Sequence, residues 1–413
     1  MSAKKQHIIQ TNIIKITSLL YCKITVFLDT NAICDRIYII IYAGDIMNSI
    51  GLYIHIPFCE QKCPYCDFYS ISNKSEYDRY TAAVVNRINE LSKKYNRVVS
   101  TVYFGGGTPS VLGTDRLISI LKAIKSSFLL TTSAEITIEV NPCSSDFLDF
   151  KKLKCAGFNR ISIGLQSAND NELKALTRRH TAQDAKNTVS IAQGCGFDNI
   201  SLDLMLCIPN QTKSSLTESI RFCKDCNVQH ISAYLLKIEK NTPFYAIKDE
   251  IDVFTDEQQA AMYTHAVNEL EKYGYKQYEI SNFSKENFEG KHNLKYWRDE
   301  EYLGIGPSAH SFIDGNRYYY SRSFEDFYNN ITVVDGSGGN LEEKIMLGLR
   351  LKTGLDFDNL QNEYNFTLDK NFWQKANLLK REGLVQIDNT NISLTVRGCL
   401  VSNSVINYLL NAI

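Results

Sequence analysis

The chain has 413 residues, 44% of them hydrophobic, which is more apolar material than most single cores absorb, so we expect one large domain and a smaller one. Its 45 lysine and arginine residues nearly cancel its 46 aspartate and glutamate residues, which argues against nucleic acid or an acidic membrane surface as a partner. The 12 cysteines are scattered rather than set in a short disulfide framework, so we predict reduced thiols and a cytoplasmic location.

Residues 1–46 differ from the rest of the chain. They are rich in isoleucine and carry Lys15, Lys23 and Arg36 without a clean hydrophobic period. No stretch reaches the roughly 20 apolar residues that a transmembrane segment needs. A transit peptide would be rich in arginine, and this segment has only Arg36. We predict that residues 1–46 are an extension that is either disordered or the result of a wrongly assigned start codon, and that Met47 is the true start.

Six short runs rich in β-branched residues follow, and amphipathic segments separate them. The runs are 52–56, 99–104, 134–140, 160–165, 199–205 and 230–236. Leu117, Ile120, Leu121 and Ile124 form a helical stripe, and "TDEQ" at 255–258 is a capping box for a helix that stops at Gly274. Alternating strands and helices predict a parallel sheet. Because no glycine-rich dinucleotide fingerprint is present, we favour an incomplete (β/α)6 barrel over a doubly wound sheet, although periodicity alone does not decide between them.

Polar or glycine-rich residues mark the ends of these strands. The first strand runs into three cysteines, the second into "GGGTP" at 105–109, and the next two into Glu139 and Gln166. The fifth strand carries Asp203 in an apolar run, where an unpaired carboxylate would be costly to bury. In barrels of this kind the chemistry lies at the carboxyl ends of the strands, so we expect one shared site.

Beyond the barrel, which we place at 47–281, the chain becomes aromatic and irregular over a connecting segment at 282–340. The last part, 341–413, reads as a small α+β unit resembling a winged helix, with two short strands joined by an Asn/Asp-rich turn at 388–391. This wing is not strongly basic. We therefore predict packing or partner docking for it rather than DNA contact.

Three cysteines in a CxxxCxxC run, Cys59, Cys63 and Cys66, are soft ligands suited to zinc or to an iron–sulfur cluster. A structural zinc site closes with four ligands, whereas a four-iron cluster held by three cysteines leaves one iron open to a small molecule. Cys223 and Cys226 form the other close pair, but they fall in a helix-like stretch, and we interpret their spacing as chance.

The CxxxCxxC run directly after the first strand, with "GGGTP" after the second, resembles the radical S-adenosylmethionine (SAM) superfamily. The resemblance implies a [4Fe-4S] cluster on the three cysteines, with SAM chelating the open iron and Gly106, Gly107 and Thr108 near its methionine end. It also implies that a further set of residues lines the cofactor sites: Tyr53, Tyr65, Glu139, Gln166, Arg178 and Asp203. Taken singly, each of these residues also fits strand-end packing or a surface ion pair. The motif match does not decide between Arg178 and the adjacent Arg179.

Within that superfamily, "YIHIPFC", "CPYCDF", "RISIGLQS" and "RRHT" are similar to the coproporphyrinogen-oxidase-like branch, from about residue 50 to the C-terminus. The oxygen-independent coproporphyrinogen III oxidases of this branch carry a fourth cysteine two residues after the third, where this chain has Phe68. "HNLKYW" at 292–297, "GPSAHSF" and "EKIMLGLRL" resemble instead the heme chaperone branch, the HemW type.

This resemblance implies a heme-binding chaperone with His292 as a candidate iron ligand and Tyr296 and Trp297 as aromatic faces for the porphyrin. The alternative for His292 is a packed, hydrogen-bonded core residue. His310 and His55 are second candidates, and we expect His55 to order the cysteine loop through hydrogen bonds.

Two other functions stay open at this point. One is a porphyrinogen oxidase that forms a 5′-deoxyadenosyl radical, and the other is a barrel whose cysteines bind a structural zinc ion. The expected partners are heme, an acceptor hemoprotein and an electron donor such as a flavodoxin, a ferredoxin or a reductase, with no nucleic acid.

Overall fold

The computed structural model describes residues 23–28, 37–42, 49–251 and 253–412. Residues 1–46, predicted to be an extension, and Met47, the predicted start, lie outside the described residues, except for two strands within residues 1–46. These strands, β1 (Lys23–Leu28) and β2 (Ile37–Tyr42), pair in antiparallel register. No helix in the described part of the chain is both long enough and apolar enough to cross a bilayer.

The six predicted strands form the centre of a parallel sheet and follow one another in sequence order. They are β3 (Ile50–Ile56), β4 (Val98–Gly106), β5 (Leu129–Val140), β6 (Arg160–Gln166), β7 (Ile200–Leu206) and β8 (His230–Leu235). Each pairs in parallel with the next. Parallel strands in sequence order with intervening helices are the architecture predicted for an incomplete (β/α)6 barrel.

The helices of the barrel alternate with these strands. They are α1 (Tyr77–Tyr95), α2 (Thr114–Ser127), α3 (Phe150–Ala156), α4 (Asp170–Ala175), α5 (Ala182–Gly194), α6 (Lys213–Asp225), α7 (Pro243–Ala246) and α8 (Asp256–Lys272). Short 3-10 turns cover Lys74–Glu76, Pro109–Leu112 and Pro142–Phe147. The predicted stripe on α2 is buried, and Thr255 and Gln258 form the predicted capping box of α8, which ends two residues before Gly274.

The segment from residue 276 onward extends the same sheet at both edges, which was not predicted from the sequence. The added strands are β9 (Lys276–Gln277), β10 (Asn282–Ser284), β11 (Tyr302–Ile305), β12 (His310–Ile313), β13 (Asn316–Tyr320) and β14 (Thr332–Ser337). The twelve strands run in the order β14-β13-β12-β11-β3-β4-β5-β6-β7-β8-β10-β9. Helices α9 (Lys291–Trp297) and α10 (Phe324–Tyr328) lie between these strands in the chain. Strand β11 pairs in parallel with β3, so it brings the aromatic segment next to the first barrel strand.

The C-terminal part is a small unit with its own antiparallel sheet. Its elements are α11 (Leu341–Gly348), β15 (Leu355–Asp356), α12 (Phe357–Tyr364), α13 (Lys370–Arg381), β16 (Val385–Ile387), β17 (Asn391–Leu394), α14 (Val396–Leu400) and α15 (Ser402–Leu410). The sheet order is β15-β17-β16, and the predicted hairpin around 388–391 is confirmed. The buried side chains of this unit and of the barrel belong to one hydrophobic cluster. The unit is therefore packed onto the barrel rather than tethered to it.

Candidate functional site

A cavity of about 1060 Å³ lies at the carboxyl ends of the parallel strands. It is lined by all the predicted site residues except His292, namely Tyr53, Cys59, Cys63, Tyr65, Cys66, Gly106, Gly107, Thr108, Glu139, Gln166, Arg178 and Asp203. The strand register explains why these residues lie close together. Tyr53 on β3 is level with Tyr103 on β4, and Asp203 on β7 is level with Ser232 on β8. The shared site expected from the strand ends is therefore present as a single cavity.

The three cysteines lie in one loop that follows β3. All three are half-buried and free of disulfide bonds. The loop is held by backbone bonds, since the Cys59 N–H donates to the Ile71 carbonyl at 3.0 Å and the Cys66 N–H donates to the Cys63 carbonyl at 3.1 Å. Burial raises the pKa of the Cys66 thiol, and the neighbouring Cys63 and Cys59 raise it further. Across the described residues, no set of three or more His, Cys, Asp or Glu side chains is arranged to hold a single metal ion.

The glycine segment after β4 is bound to the base of this loop. The Gly107 N–H donates to the Ile56 carbonyl at 2.8 Å, and the Thr108 N–H donates to the Phe58 carbonyl at 2.7 Å. A Cβ atom on Gly107 would lie 2.6 Å from the Phe58 carbonyl oxygen, closer than real contacts allow. The family resemblance implies that Gly106 and Gly107 lie near a cofactor. The structure supplies a further reason for glycine at position 107, which is the close packing of two backbone segments.

Arg178 lies beside the cysteines with an incomplete set of partners. Its Nη1 atom is 3.6 Å from the Cys63 sulfur and its Nη2 donates to the Gly164 carbonyl at 3.0 Å, while its buried Nε has no hydrogen-bond partner in the described structure. No carboxylate among the described residues forms an ion pair with it, whereas Arg179 pairs with Glu60 at 2.7 Å. Buried charges are normally paired, so Arg178 indicates room for an anionic group next to the cysteine loop.

Two carboxylates enter the cavity from β5 and β7. Glu139 accepts hydrogen bonds from the Tyr103 hydroxyl at 2.8 Å and from the Gly106 N–H at 3.3 Å, and burial raises its pKa to about 7. Asp203 accepts from the Ser162 hydroxyl at 3.2 Å, and burial raises its pKa as well. The serine bond offsets part of the cost that the sequence analysis assigned to a carboxylate in an apolar run.

His55 orders the cysteine loop, as predicted. Its Nε2 donates to the Tyr69 carbonyl at 3.0 Å, so the neutral ring accepts at Nδ1 from the Tyr53 hydroxyl, also at 3.0 Å. Burial lowers the pKa of His55 to about 4, which keeps it neutral at physiological pH. Gln166, which also lines the cavity, has a left-handed backbone with φ +69° and accepts from the Tyr234 hydroxyl at 2.7 Å. Strained backbone of this kind at a strand end is typical of binding sites.

His292 occupies a different position from the other predicted residues. It lies on α9 with 1% of its surface exposed, and its Nδ1 is hydrogen bonded to the Thr101 hydroxyl and its Nε2 to the Tyr296 hydroxyl, both at 2.8 Å. Tyr296 lines the cavity, whereas His292 lies behind it. Both ring nitrogens are thus engaged, and iron ligation by His292 would require one of these hydrogen bonds to break.

Replacing His292 with alanine is expected to destabilise the protein. The Thr101 hydroxyl would lose its partner in a buried environment and Tyr296 would lose its anchor, so the free energy of unfolding should fall by about 2–3 kcal/mol. Anaerobic urea denaturation would measure the change. His265→Ala is the control, because this half-buried histidine contacts Thr217 and lies outside the cavity lining. Equal stability of the two variants would contradict the structural role of His292.

Several cavity residues were not predicted from the sequence: Tyr103, Arg160, Ser232, Tyr234, Tyr302 and Arg322. Arg160 is 2% exposed, but it is the first residue of β6 and follows Asn159 rather than lying inside an apolar run, so no local signal indicated its burial. Tyr302 lies on β11, a strand that was not expected. Cys223 and Cys226 are buried and free and do not line the cavity, in keeping with chance spacing.

Comparison with protein families gives two matches. The description "Radical SAM superfamily" matches residues 53–223, and "HemN C-terminal domain" matches residues 340–401. The first range contains the cysteine loop and the glycine segment, and the second contains most of the C-terminal unit.

Curated relatives match most of the chain. A protein named heme chaperone HemW from Bacillus subtilis is 34% identical over 367 residues, which cover 86% of this chain and 97% of that protein. The HemW protein of Escherichia coli is 39% identical over 65% of this chain and 72% of its own length. A mitochondrial radical S-adenosyl methionine domain-containing protein 1 from Danio rerio is 32% identical over 86% of each protein.

Among solved structures, the coproporphyrinogen III oxidase HemN of Escherichia coli, described as a radical SAM enzyme, is similar with a TM-score of 0.75. The superposition covers 88% of this chain and 90% of that chain at 22% sequence identity. A likeness at this identity concerns the fold alone, and it confirms the predicted partial barrel with its small C-terminal unit.

Proposed function

This chain belongs to the HemW family of radical SAM proteins, and from that premise we propose that it binds heme and transfers it to an acceptor hemoprotein. The observation that carries the choice between branches is Phe68. It stands where the related oxidases have a fourth cysteine, and it lies at the cavity with 68% of its surface exposed. An exposed aromatic ring at a cavity suits a large apolar ligand.

We also propose that Cys59, Cys63 and Cys66 hold a [4Fe-4S] cluster and that SAM binds in the cavity beside it. Three thiolates that each bind a different iron need not converge on one point, which agrees with the absence of a single-ion geometry among the described residues. The unpaired guanidinium of Arg178 fits the negative charge of thiolates or of a carboxylate. When bound, such a cluster supplies an open iron for the amino and carboxylate groups of SAM.

The remaining cavity residues have proposed roles toward SAM. Gly106, Gly107 and Thr108 present backbone near the cysteines, and Glu139 and Asp203 supply carboxylates that attract the cationic groups of the cofactor. Tyr53, Tyr65 and Gln166 form walls of the same cavity.

The accompanying proposals follow from the same premise. They are a flavodoxin, ferredoxin or reductase as electron donor, a cytoplasmic location, and domain boundaries at 47–281, 282–340 and 341–413.

The experiment that tests the function is anaerobic reconstitution followed by titration with heme and then by mixing with a heme-free acceptor hemoprotein. Uptake of heme and its appearance on the acceptor would support the proposal. Turnover of coproporphyrinogen III to protoporphyrinogen IX would instead favour the oxidase. One zinc and no iron per chain in metal analysis would favour a structural zinc site and would contradict both the heme chaperone and the oxidase.

The affinity for SAM is expected to depend on pH through Glu139. The pKa of this carboxyl is raised to about 7, so the carboxylate that attracts the cationic amino group is lost as the pH falls below that value. Affinity should rise by up to about tenfold per pH unit below pH 7 and level off above it. Isothermal titration of the reconstituted protein between pH 6 and 8 measures this profile. Glu139→Gln should be weaker and nearly independent of pH, and an unchanged profile in that variant would contradict the role of Glu139.

A further inference from the structure

We infer that His310, rather than His292, is the residue that binds the heme iron. The inference rests on the proposed heme-binding function and names the ligand within it. It is carried by the position of every histidine in the described part of the chain, by the neighbours of His310 and by the character of the cavity wall around it.

The described histidines differ in exposure and in the state of their ring nitrogens. They are His55, His180, His230, His265, His292 and His310. Only two of them, His55 and His310, line the cavity. Both nitrogens of His55 are engaged, by Tyr53 and by the Tyr69 carbonyl. His310 is exposed, and neither of its ring nitrogens has a hydrogen bond to the described residues. Among the described histidines that line the cavity, His310 is therefore the one with a ring nitrogen free to bind a metal.

His310 is held in a defined orientation by the sheet. It is the first residue of β12 and lies directly opposite Tyr319 on β13. The two rings stack with centroids 4.8 Å apart and an interplanar angle of 22°. A ligand on a strand, with its ring packed against a neighbour, has less freedom to lose when it binds a metal than one on a loop.

The surroundings of His310 suit a large flat ligand that carries carboxylates. Phe68, Tyr69 and Tyr302 line the same cavity and offer apolar or aromatic surface. Arg322 also lines it, and among the described residues its ion-pair partner is Asp67, at 3.2 Å, with 57% of the Arg322 side chain exposed. An exposed arginine can exchange such a partner for a propionate with little loss, because exposed ion pairs contribute only about 0–1 kcal/mol.

The position of His310 also places the proposed heme in the same cavity as the cysteine loop. The residues of "GPSAHSF" and those of "CPYCDF" meet there because β11 pairs with β3 and leads into β12. In this arrangement Tyr296, anchored from behind by His292, forms part of the wall. The sequence motif containing His292 then supports the site without supplying the ligand.

The test is a hemin titration of the reconstituted protein, followed through the Soret band. The wild type should bind hemin with the spectrum of an imidazole-ligated iron. His310→Ala should bind at least about 10–100-fold more weakly, because removal of a group that only supports a metal ligand already costs that much and His310 is proposed as the ligand itself. His310→Gly should recover the spectrum when free imidazole is added, because imidazole fills the vacated space. His265→Ala is the matched control and should behave as the wild type does.

Each remaining outcome decides one of the two proposals. If the wild type binds no hemin, the heme function itself fails. If the wild type binds hemin and His310→Ala gives the same affinity and spectrum, the function stands and the inference is wrong. The inference is also wrong if His310→Gly, with unchanged iron content, is not rescued by imidazole, or if a folded His292→Ala variant loses the imidazole spectrum.

Discussion

Replacing Cys63 with serine should abolish the iron–sulfur cluster. Anaerobically reconstituted wild type is expected to contain about four irons and four sulfides per chain, and the variant less than about one, because serine is a poor ligand for iron in such clusters. The effect should be as large for Cys59 and Cys66, since the three residues share one short loop. Iron and sulfide analysis with the visible spectrum gives the measurement.

A good control for this experiment is Cys155→Ser. Cys155 is free and exposed on α3 and does not line the cavity, so its loss should leave iron content unchanged. Binding of SAM should fall together with iron in the loop variants but not in the control. Full iron content in any one of the three loop variants would show that the loop is not the cluster site.

Replacing Gly107 with alanine should damage the same site without removing a ligand. The added Cβ would lie 2.6 Å from the Phe58 carbonyl oxygen and 2.9 Å from that of Ile56, and both are backbone atoms that cannot rotate away. The glycine segment must then separate from the cysteine loop, and we expect a loss of about 1–3 kcal/mol in unfolding free energy, as in other overpacked sites. Cluster content and SAM affinity should drop because the loop loses its anchor.

Gly194→Ala is the matched control for that variant. A Cβ at Gly194, the last residue of α5, meets nothing within 4 Å, so stability should be unchanged or rise by about 0.5–1 kcal/mol. Denaturation and iron analysis on both variants give the comparison. A Gly107→Ala protein with normal iron and normal stability would mean that the two segments are not packed as described.

The sequence predicted the barrel well because its signals are local. Six β-branched runs and the stripe on α2 each reflect a face that must be buried, and the capping box of α8 is a side-chain bond between near neighbours in the chain. The carboxyl ends of parallel strands must meet at one edge, so residues as distant as Cys59 and Asp203 could be assigned to one site from the strand ends, whereas Tyr53 was assigned through the family resemblance.

Strand β11 was missed because nothing local identifies it, whereas the Asp314–Gly315 turn that joins β12 to β13 is a local hairpin signal that was overlooked. Strand β11 has four residues and contains Gly304, and β13 begins with Asn316 and Arg317 and continues with three tyrosines, so neither shows an alternating apolar pattern. The pairing partner of β11 is set by tertiary packing, since β11 joins β3 from about 250 residues away in the chain. A single sequence carries little information about such contacts.

The role of His292 shows a second limit. A motif can identify a region without identifying which atoms face the ligand, because that depends on the helix rotation that the surrounding side chains impose. Here Thr101, from β4, and the carboxylate of Glu135, which accepts the backbone N–H of His292, hold α9 with the histidine turned inward. The tyrosine one turn later reaches the cavity instead.

Within the described chain, the twelve-stranded sheet ends in two edges, β14 and β9, and does not close on itself. In a closed barrel, strand number and stagger together determine the diameter, so the interior cannot widen without breaking ladder hydrogen bonds. An open sheet can change its curvature while every existing strand pair is kept. The proposed uptake and release of heme, a rigid disc, would therefore need bending of the sheet and no rupture of its backbone pairing.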